Sequence, residues 1–369
     1  MNRKIILGVI GLLILGAIFY IESGKNDVRG SGENSDIEIT ENNLTTEQKA
    51  QKYERAKEIT TPDDFINTDG VTISELIGKK VILIDFWTYS CINCQRTQPY
   101  LNNWYEKYKD QGLEILGIHT PEFEFEKELE NVEEAVRKFG IKYPVILDND
   151  FSTWSSYRNR YWPRKYLIDI DGFIIYDHIG EGAYEETEAI IVEALKERKE
   201  RLGESGVVNT GEMASGEEVD YDQIETPEIY FGSSRLKYLI NLPGEFFVGE
   251  SIEFNSPEKI LKNTFALDGK WKIQEEYAEL VGEHGSIFLN FKASKVNFVA
   301  SSDTEVEAEI YLDGKLVDTY AGEDVEDGEV KIKEATLYNL IDLDGKYEEH
   351  ILEIRIKSPG LEAFTFTFG

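Results

Sequence analysis

VILIDFWTYSCINC, residues 81–94, is the stretch on which the fold turns. Residues 81–87 form a continuous apolar run around Asp85, as a strand covered on both faces does. From Cys91 to Asp110 the spacing changes, and Leu101, Trp104, Tyr105 and Tyr108 recur at helical intervals. The Cys-x-x-Cys therefore lies directly after a buried strand and opens a helix. A helix N-terminus presents free N–H groups and the positive end of the dipole to Cys91. Both favour the thiolate, which is the nucleophile of disulfide exchange. Cys94, one turn inside, is placed to attack a mixed disulfide made by Cys91.

Cys91 and Cys94 are the only cysteines. A bridge between them closes a very small loop and is a poor structural staple. Redox chemistry or half of a zinc site remain as reasons to keep them. Zinc takes about four ligands, and the sequence offers no second Cys-x-x-Cys or histidine pair. The reading is a redox-active Cys91–Cys94 disulfide, with no metal and no other cofactor.

Outward from this centre, Leu113–Ile118 reads as a second buried strand. Lys127–Phe139 reads as a helix with Leu129, Val132, Val136 and Phe139 on one stripe and Gly140 as its stop. Val145–Leu147 is a short strand. Tyr166–Ile170 and Phe173–His178 flank Asp171-Gly172, a hairpin signal, and 184–201 is a terminal helix. That order predicts an α/β domain with a mixed sheet over residues 59–201. Residues 202–225, rich in Gly, Ser and acids, read as a linker. Beyond it the period becomes two. Ile287, Leu289 and Phe291 alternate, as do Val306, Ala308, Ile310 and Leu312, then Leu352, Ile354 and Ile356. Phe364, Phe366 and Phe368 read as one strand face in the core. Residues 226–369 are therefore predicted to be an all-β sandwich.

The chain of 369 residues has 41% hydrophobic and 12% aromatic content, enough for two packed cores and against a wholly disordered chain. With 71 acidic residues against 39 basic, the net charge is -32, which argues against nucleic-acid binding. Arg3 and Lys4 precede an uncharged run from Ile5 to Ile21, about 26 Å long as a helix. No small-x-small cleavage site follows directly. The run is read as an uncleaved signal anchor (residues 1–21) with the N-terminus inside and the remainder translocated. Residues 22–58 form a tether, with a short polar helix in 46–58.

The stretches INTDG (66–70), DFWTYSCINC (85–94), HTPEF (119–123), RYWP (160–163) and YLID (166–169) together resemble the thioredoxin superfamily. The branch is that of TlpA- and ResA-like proteins, and the likeness is greatest to the thioredoxin region of DipZ-type proteins. PGLEAFTFTFG (359–369) resembles the end of the carbohydrate-binding-module-like domain of that family, a jelly-roll, galactose-binding-like fold. The resemblance implies that Cys91 is the attacking thiol and Cys94 the resolving one. It implies that Asp85 is a buried acid of raised pKa that exchanges the Cys94 proton. Trp87 and Pro99 take structural roles beneath the site and in its helix. Pro163, after Trp162, matches the cis-proline loop that presents backbone to an extended substrate. His119 and Glu122 match a family motif without an assigned chemistry. ResA-like proteins carry Glu three residues after the second cysteine; here Thr97 stands there. DipZ-type proteins begin with a multi-span electron-conducting domain, so a separate membrane protein would be the electron donor.

These features give a membrane-anchored extracytoplasmic thiol–disulfide oxidoreductase acting on protein disulfides or dithiols. A thiol peroxidase is the rival enzyme: Thr88 fits the threonine of Pro-x-x-x-Thr-x-x-Cys, whereas the proline position is Ile84. The other rival is a cell-surface glycan binder with a vestigial dithiol. Its platform would come from Trp271, Tyr277, Phe288, Phe291, Phe298, Tyr311 or Tyr320, residues that fill sandwich cores at least as often as they bind sugars.

Overall fold

The computed structural model describes residues 44–217 and 219–369. The Ile5–Ile21 run and the tether up to residue 43 lie outside the described residues. Among those described, no helix is long and apolar enough to cross a membrane.

The first domain carries helices α1 (Thr46–Lys52), α2 (Ile73–Leu76), α3 (Ile92–Tyr108), α4 (Leu129–Lys138), α5 (Ser152–Ser156) and α6 (Tyr184–Leu202). Its strands are β1 (Phe65–Ile66), β2 (Val81–Trp87), β3 (Leu113–His119), β4 (Val145–Leu147), β5 (Arg164–Ile168) and β6 (Ile174–Ile179). The sheet order is β1-β4-β3-β2-β5-β6. β2, β3 and β4 run parallel; β5 lies antiparallel to β2, and β6 to β5. All seven residues of β2 are buried because the strand is central and both faces are covered. Leu83 and Trp87 pack with Leu101 and Trp104 of α3, whereas Ile82, Ile84 and Phe86 pack with Tyr157 and Tyr166 on the opposite face. α4 ends at Lys138, and Gly140 takes φ 66 just beyond it, a conformation that favours glycine.

α1 docks through one side chain. The buried Lys49 ammonium donates to Asp169 at 2.6 Å, to Asp171 at 3.0 Å and to Glu197. Burial disfavours that ammonium, yet the three carboxylates outweigh it and hold its pKa above 10.5. These same carboxylates form the one acidic cluster with metal-site spacing among the described residues. The lysine already fills it.

The second domain carries β7 (Ile229–Tyr230), β8 (Ser251–Phe254), β9 (Thr264–Ile273), β10 (Ala278–Ala293), β11 (Lys295–Ser301) and β12 (Val306–Leu312). β13 (Lys315–Leu316), β14 (Glu329–Ile332), β15 (Thr336–Asp342), β16 (Glu348–Ile356) and β17 (Glu362–Phe368) complete it. It is all-β, but its strands join in one 11-stranded sheet rather than two separate layers. The long β10 causes this. Gly285–Ala293 pair with β16, while Ala278 and Glu279 pair with β17, so one strand serves both arms. The two arms share a core that includes Ile287, Ile310 and Ile354 from one and Phe298, Leu340 and Phe366 from the other.

One expectation fails within this sheet. Phe364 does not share a face with Phe366 and Phe368. Val299 pairs with Thr365 and Ala300 with Ala363, leaving Phe364 as an extra residue in the ladder. A β-bulge breaks the period of two. Phe366 and Phe368 stay in the sheet core, and Phe364 turns outward against Phe123 of the first domain.

Candidate active site

Cys91 caps the N-terminus of α3 with an extended backbone (φ -78, ψ 116). β2 ends at Trp87, and four residues carry the chain over the sheet edge into the helix. Both cysteines are free thiols; Cys91 is half-exposed and Cys94 buried. The Cys91 Sγ lies 3.9 Å from the Trp162 carbonyl oxygen, toward which its thiol points. The Trp162–Pro163 peptide is cis. Trp162 is held from behind, its indole N–H donating to the Thr120 carbonyl at 2.9 Å and its ring lying 4.3 Å from that of Trp154. Burial, the neighbouring Cys91 and the charge of Asp85 push the Cys94 thiol well above its ordinary pKa.

Asp85 is wholly buried, and neither carboxyl oxygen has a protein hydrogen-bond partner. Desolvation lifts its pKa from 3.8 to about 7, with Lys165 opposing the rise. Lys165 sits directly across the ladder from Asp85. It is equally buried, and its ammonium donates to the Gly180 carbonyl at 3.3 Å. Burial lowers its pKa, while Asp85, Cys94 and Glu181 raise it. The tertiary structure thus brings Cys91, Cys94, Asp85, Trp162 and Pro163 to one end of the sheet, with a lysine that the sequence reading did not single out. A signal was present: Lys165 has the parity of Leu167, a core residue on the same face of β5.

Trp87 is buried edge-on to His119, with ring centroids 5.1 Å apart. Pro99 lies inside α3 with its ring exposed. Thr97 Oγ1 donates to the Asn93 carbonyl at 2.9 Å. His119 is buried and neutral, desolvation lowering its pKa to about 3. Glu122 reaches the second domain, pairing with Arg235 at 2.6 Å and accepting from the Tyr230 hydroxyl at 3.0 Å. Thr88, the residue of the peroxidase motif, is buried, its hydroxyl 3.5 Å from His119 Nε2.

Two family models match: the AhpC/TSA family over residues 53–177 and the thioredoxin-like C-terminal domain over 226–369. Thiol-disulfide oxidoreductase YkuV of Bacillus subtilis is 32% identical over 115 residues, 31% of this chain and 76% of its own. ResA of Bacillus thuringiensis, also named a thiol-disulfide oxidoreductase, is 32% identical over 132 residues, 35% of this chain and 73% of its own. This chain belongs to the thioredoxin-like thiol–disulfide oxidoreductase family. Protein DipZ of Mycobacterium bovis is 35% identical over 311 residues, covering both domains and 83% of this chain. The chain spans 41% of the length of that relative.

The seven aromatic residues that could form a sugar platform are mostly engaged within the protein. Trp271, Phe291 and Phe298 are core. Tyr277 stands against Phe364, and Tyr311 and Tyr320 are covered by Arg355 and Lys346. Phe288 is half-buried in β10.

Proposed function

We propose that the protein is a membrane-anchored, extracytoplasmic thiol–disulfide oxidoreductase acting on protein disulfides. The observation that carries this reading is the pairing of a half-exposed Cys91 at a helix N-terminus with a buried Cys94 beside an unpaired buried acid. The Cys91 thiolate attacks a substrate disulfide, forming a mixed disulfide and releasing one substrate thiolate. The Trp162 backbone at the cis-proline loop holds the substrate chain. Cys94 then gives its proton to Asp85 and attacks Cys91 Sγ. This frees the second substrate thiol and leaves the Cys91–Cys94 disulfide, two electrons having passed to the substrate. Asp85 suits the transfer because a carboxyl with a pKa of about 7 is both acceptor and donor near neutrality. A separate membrane dithiol donor restores the dithiol.

The test is insulin-disulfide reduction by the purified chain, together with trapping. Cys94→Ser should accumulate mixed disulfides and Cys91→Ser should not; the reverse pattern would exchange their roles. Protease added to spheroplasts should release a soluble fragment by cutting within residues 22–45, and full protection would contradict the anchored topology. Hydrogen peroxide consumption outpacing insulin reduction would favour the peroxidase instead. Against that alternative stand Ile84 at the motif's proline position and the Thr88 hydroxyl, buried 3.5 Å from His119 Nε2. Glycan capture by the full chain with no disulfide reduction would favour the surface binder.

A further inference from the structure

We propose that the C-terminal domain is a working part of this redox site, and that Glu126 is the positioning residue through which its docking fixes Cys91. The inference rests on the redox reading above.

Glu126 follows the HTPEF stretch and is completely buried. Its two carboxyl oxygens accept four hydrogen bonds from two different segments. Oε1 accepts from the Ser90 hydroxyl at 2.6 Å and the Ser90 N–H at 3.3 Å. Oε2 accepts from the N–H groups of Glu122 at 2.5 Å and Phe123 at 3.0 Å. Ser90 is the residue before Cys91. Glu122 and Phe123 carry the side chains that meet the second domain. The Glu122 carboxylate holds Arg235 and Tyr230. The Phe123 ring stands 5.1 Å from that of Phe364, in a cluster with Val299 and Leu337. The bulge in β17 is what delivers Phe364 to this contact.

The second domain also touches the motif directly. The Tyr89 hydroxyl donates to the Ala335 carbonyl at 2.9 Å, and Ile92 packs into the Phe123–Phe364 cluster. Residues on both sides of Cys91 are therefore held by the C-terminal domain: Tyr89 and Ile92 by contact, Ser90 through Glu126. A thiol that must meet a disulfide in line loses rate when its backbone is free to wander. Three of the four partners of Glu126 are backbone N–H groups, which can only donate, and they lie at both carboxyl oxygens. A glutamine at this position turns its own N–H₂ toward one pair of them and leaves at least one backbone N–H unpaired.

The experiment compares full-length wild type, Glu126→Gln, Glu126→Asp and Arg235→Ala in the reduced state. Three quantities are read: the rate of Cys91 alkylation by iodoacetamide, the reduction potential of the dithiol against glutathione, and urea unfolding. Glu126→Gln should slow alkylation about tenfold and shift the potential. Arg235→Ala, remote from the thiols, should slow alkylation in the same direction by less. Wild-type alkylation and potential in Glu126→Gln, whatever its stability, would overturn the positioning role. A slowed Glu126→Gln with an unchanged Arg235→Ala would overturn the link to the second domain. If Glu126→Gln fails to fold, Glu126→Asp and Arg235→Ala answer the same question, both at wild-type rate being the overturning result. Failure of the wild type to reduce insulin would count against the redox reading alone, since alkylation needs no disulfide substrate.

Discussion

The first domain buries two lysine–carboxylate groups and treats them in opposite ways. At the base, Lys49 is surrounded by Asp169, Asp171 and Glu197 within hydrogen-bonding distance, and Arg201 adds a second cation 2.8 Å from Asp171. At the redox end, Asp85 and Lys165 face each other across a ladder position without a hydrogen bond between them, and both Asp85 oxygens are unpartnered. A paired buried charge is costly to break; an unpaired one is costly to keep. The first arrangement is a clasp; the second leaves a carboxyl whose pKa is raised to about 7.

The largest effect should come from breaking the clasp. Lys49→Met leaves three carboxylates with Arg201, which pairs with Asp171 and Glu197, as the nearby cation, and should cost about 3–5 kcal/mol in chemical unfolding at pH 7. Insulin reduction by the protein that remains folded should stay near wild type. Around neutral pH the Lys49 contribution to the clasp is fully present in the wild type, and it is lost as pH rises above 10.5, because the folded pKa of Lys49 lies above that value. A Lys49→Met protein as stable as the wild type would remove the contrast between the two sites.

Asp85→Asn should move stability the other way. The folded pKa of about 7 exceeds the ordinary 3.8, so the folded state binds more protons in that window and stability falls as pH rises through it. At 1.36 kcal/mol per pKa unit the loss reaches about 4 kcal/mol above pH 7. The variant should therefore gain up to this amount at pH 8 and nothing at pH 3.5. Its disulfide reduction should slow by about 10²-fold or more as Cys94 loses its proton partner. Destabilisation with full activity would mean that Asp85 is structural.

Lys165→Met sharpens the comparison at smaller amplitude. Without the nearby ammonium the Asp85 pKa should rise above about 7, moving the inflection of the rate–pH profile to higher pH. The buried ammonium is lost with its desolvation cost, so unfolding should change by no more than about 1 kcal/mol. An unmoved profile would separate Lys165 from the proton transfer. The smallest effect is that of salt. Raising ionic strength to 1 M should leave the Lys49 clasp nearly unchanged, because buried pairs are poorly screened.

Much of the first domain could be read along the chain. The strands Val81–Trp87 and Val145–Leu147 begin and end where the apolar runs do, and the helix opens at Cys91. These are local signals: a run that needs cover on both faces, a period of 3.6, a glycine that takes a positive φ. The Cys-x-x-Cys at a strand–helix junction is local too, so the placement of the two thiols at the head of α3 was legible without tertiary information. Lys49, Lys165 and Glu126 read as surface charges in sequence, because long charged side chains are usually exposed. What buries them is another segment: the Asp169–Glu197 carboxylates for Lys49, strand β2 for Lys165, and the Ser90 and Phe123 loops for Glu126.

Phe364 marks the same boundary in the second domain. Alternation alone puts it in the sheet core, and one extra residue in the ladder puts it against the first domain. Sequence by itself determined the long helices and central strands of the first domain and where the two thiols sit on them, since those follow from neighbours in the chain. Tertiary structure alone decided which charges are buried, which way Phe364 turns and what holds the backbone around Cys91. These depend on pairing between segments far apart in sequence, where a shift of one residue exchanges the two faces of a strand.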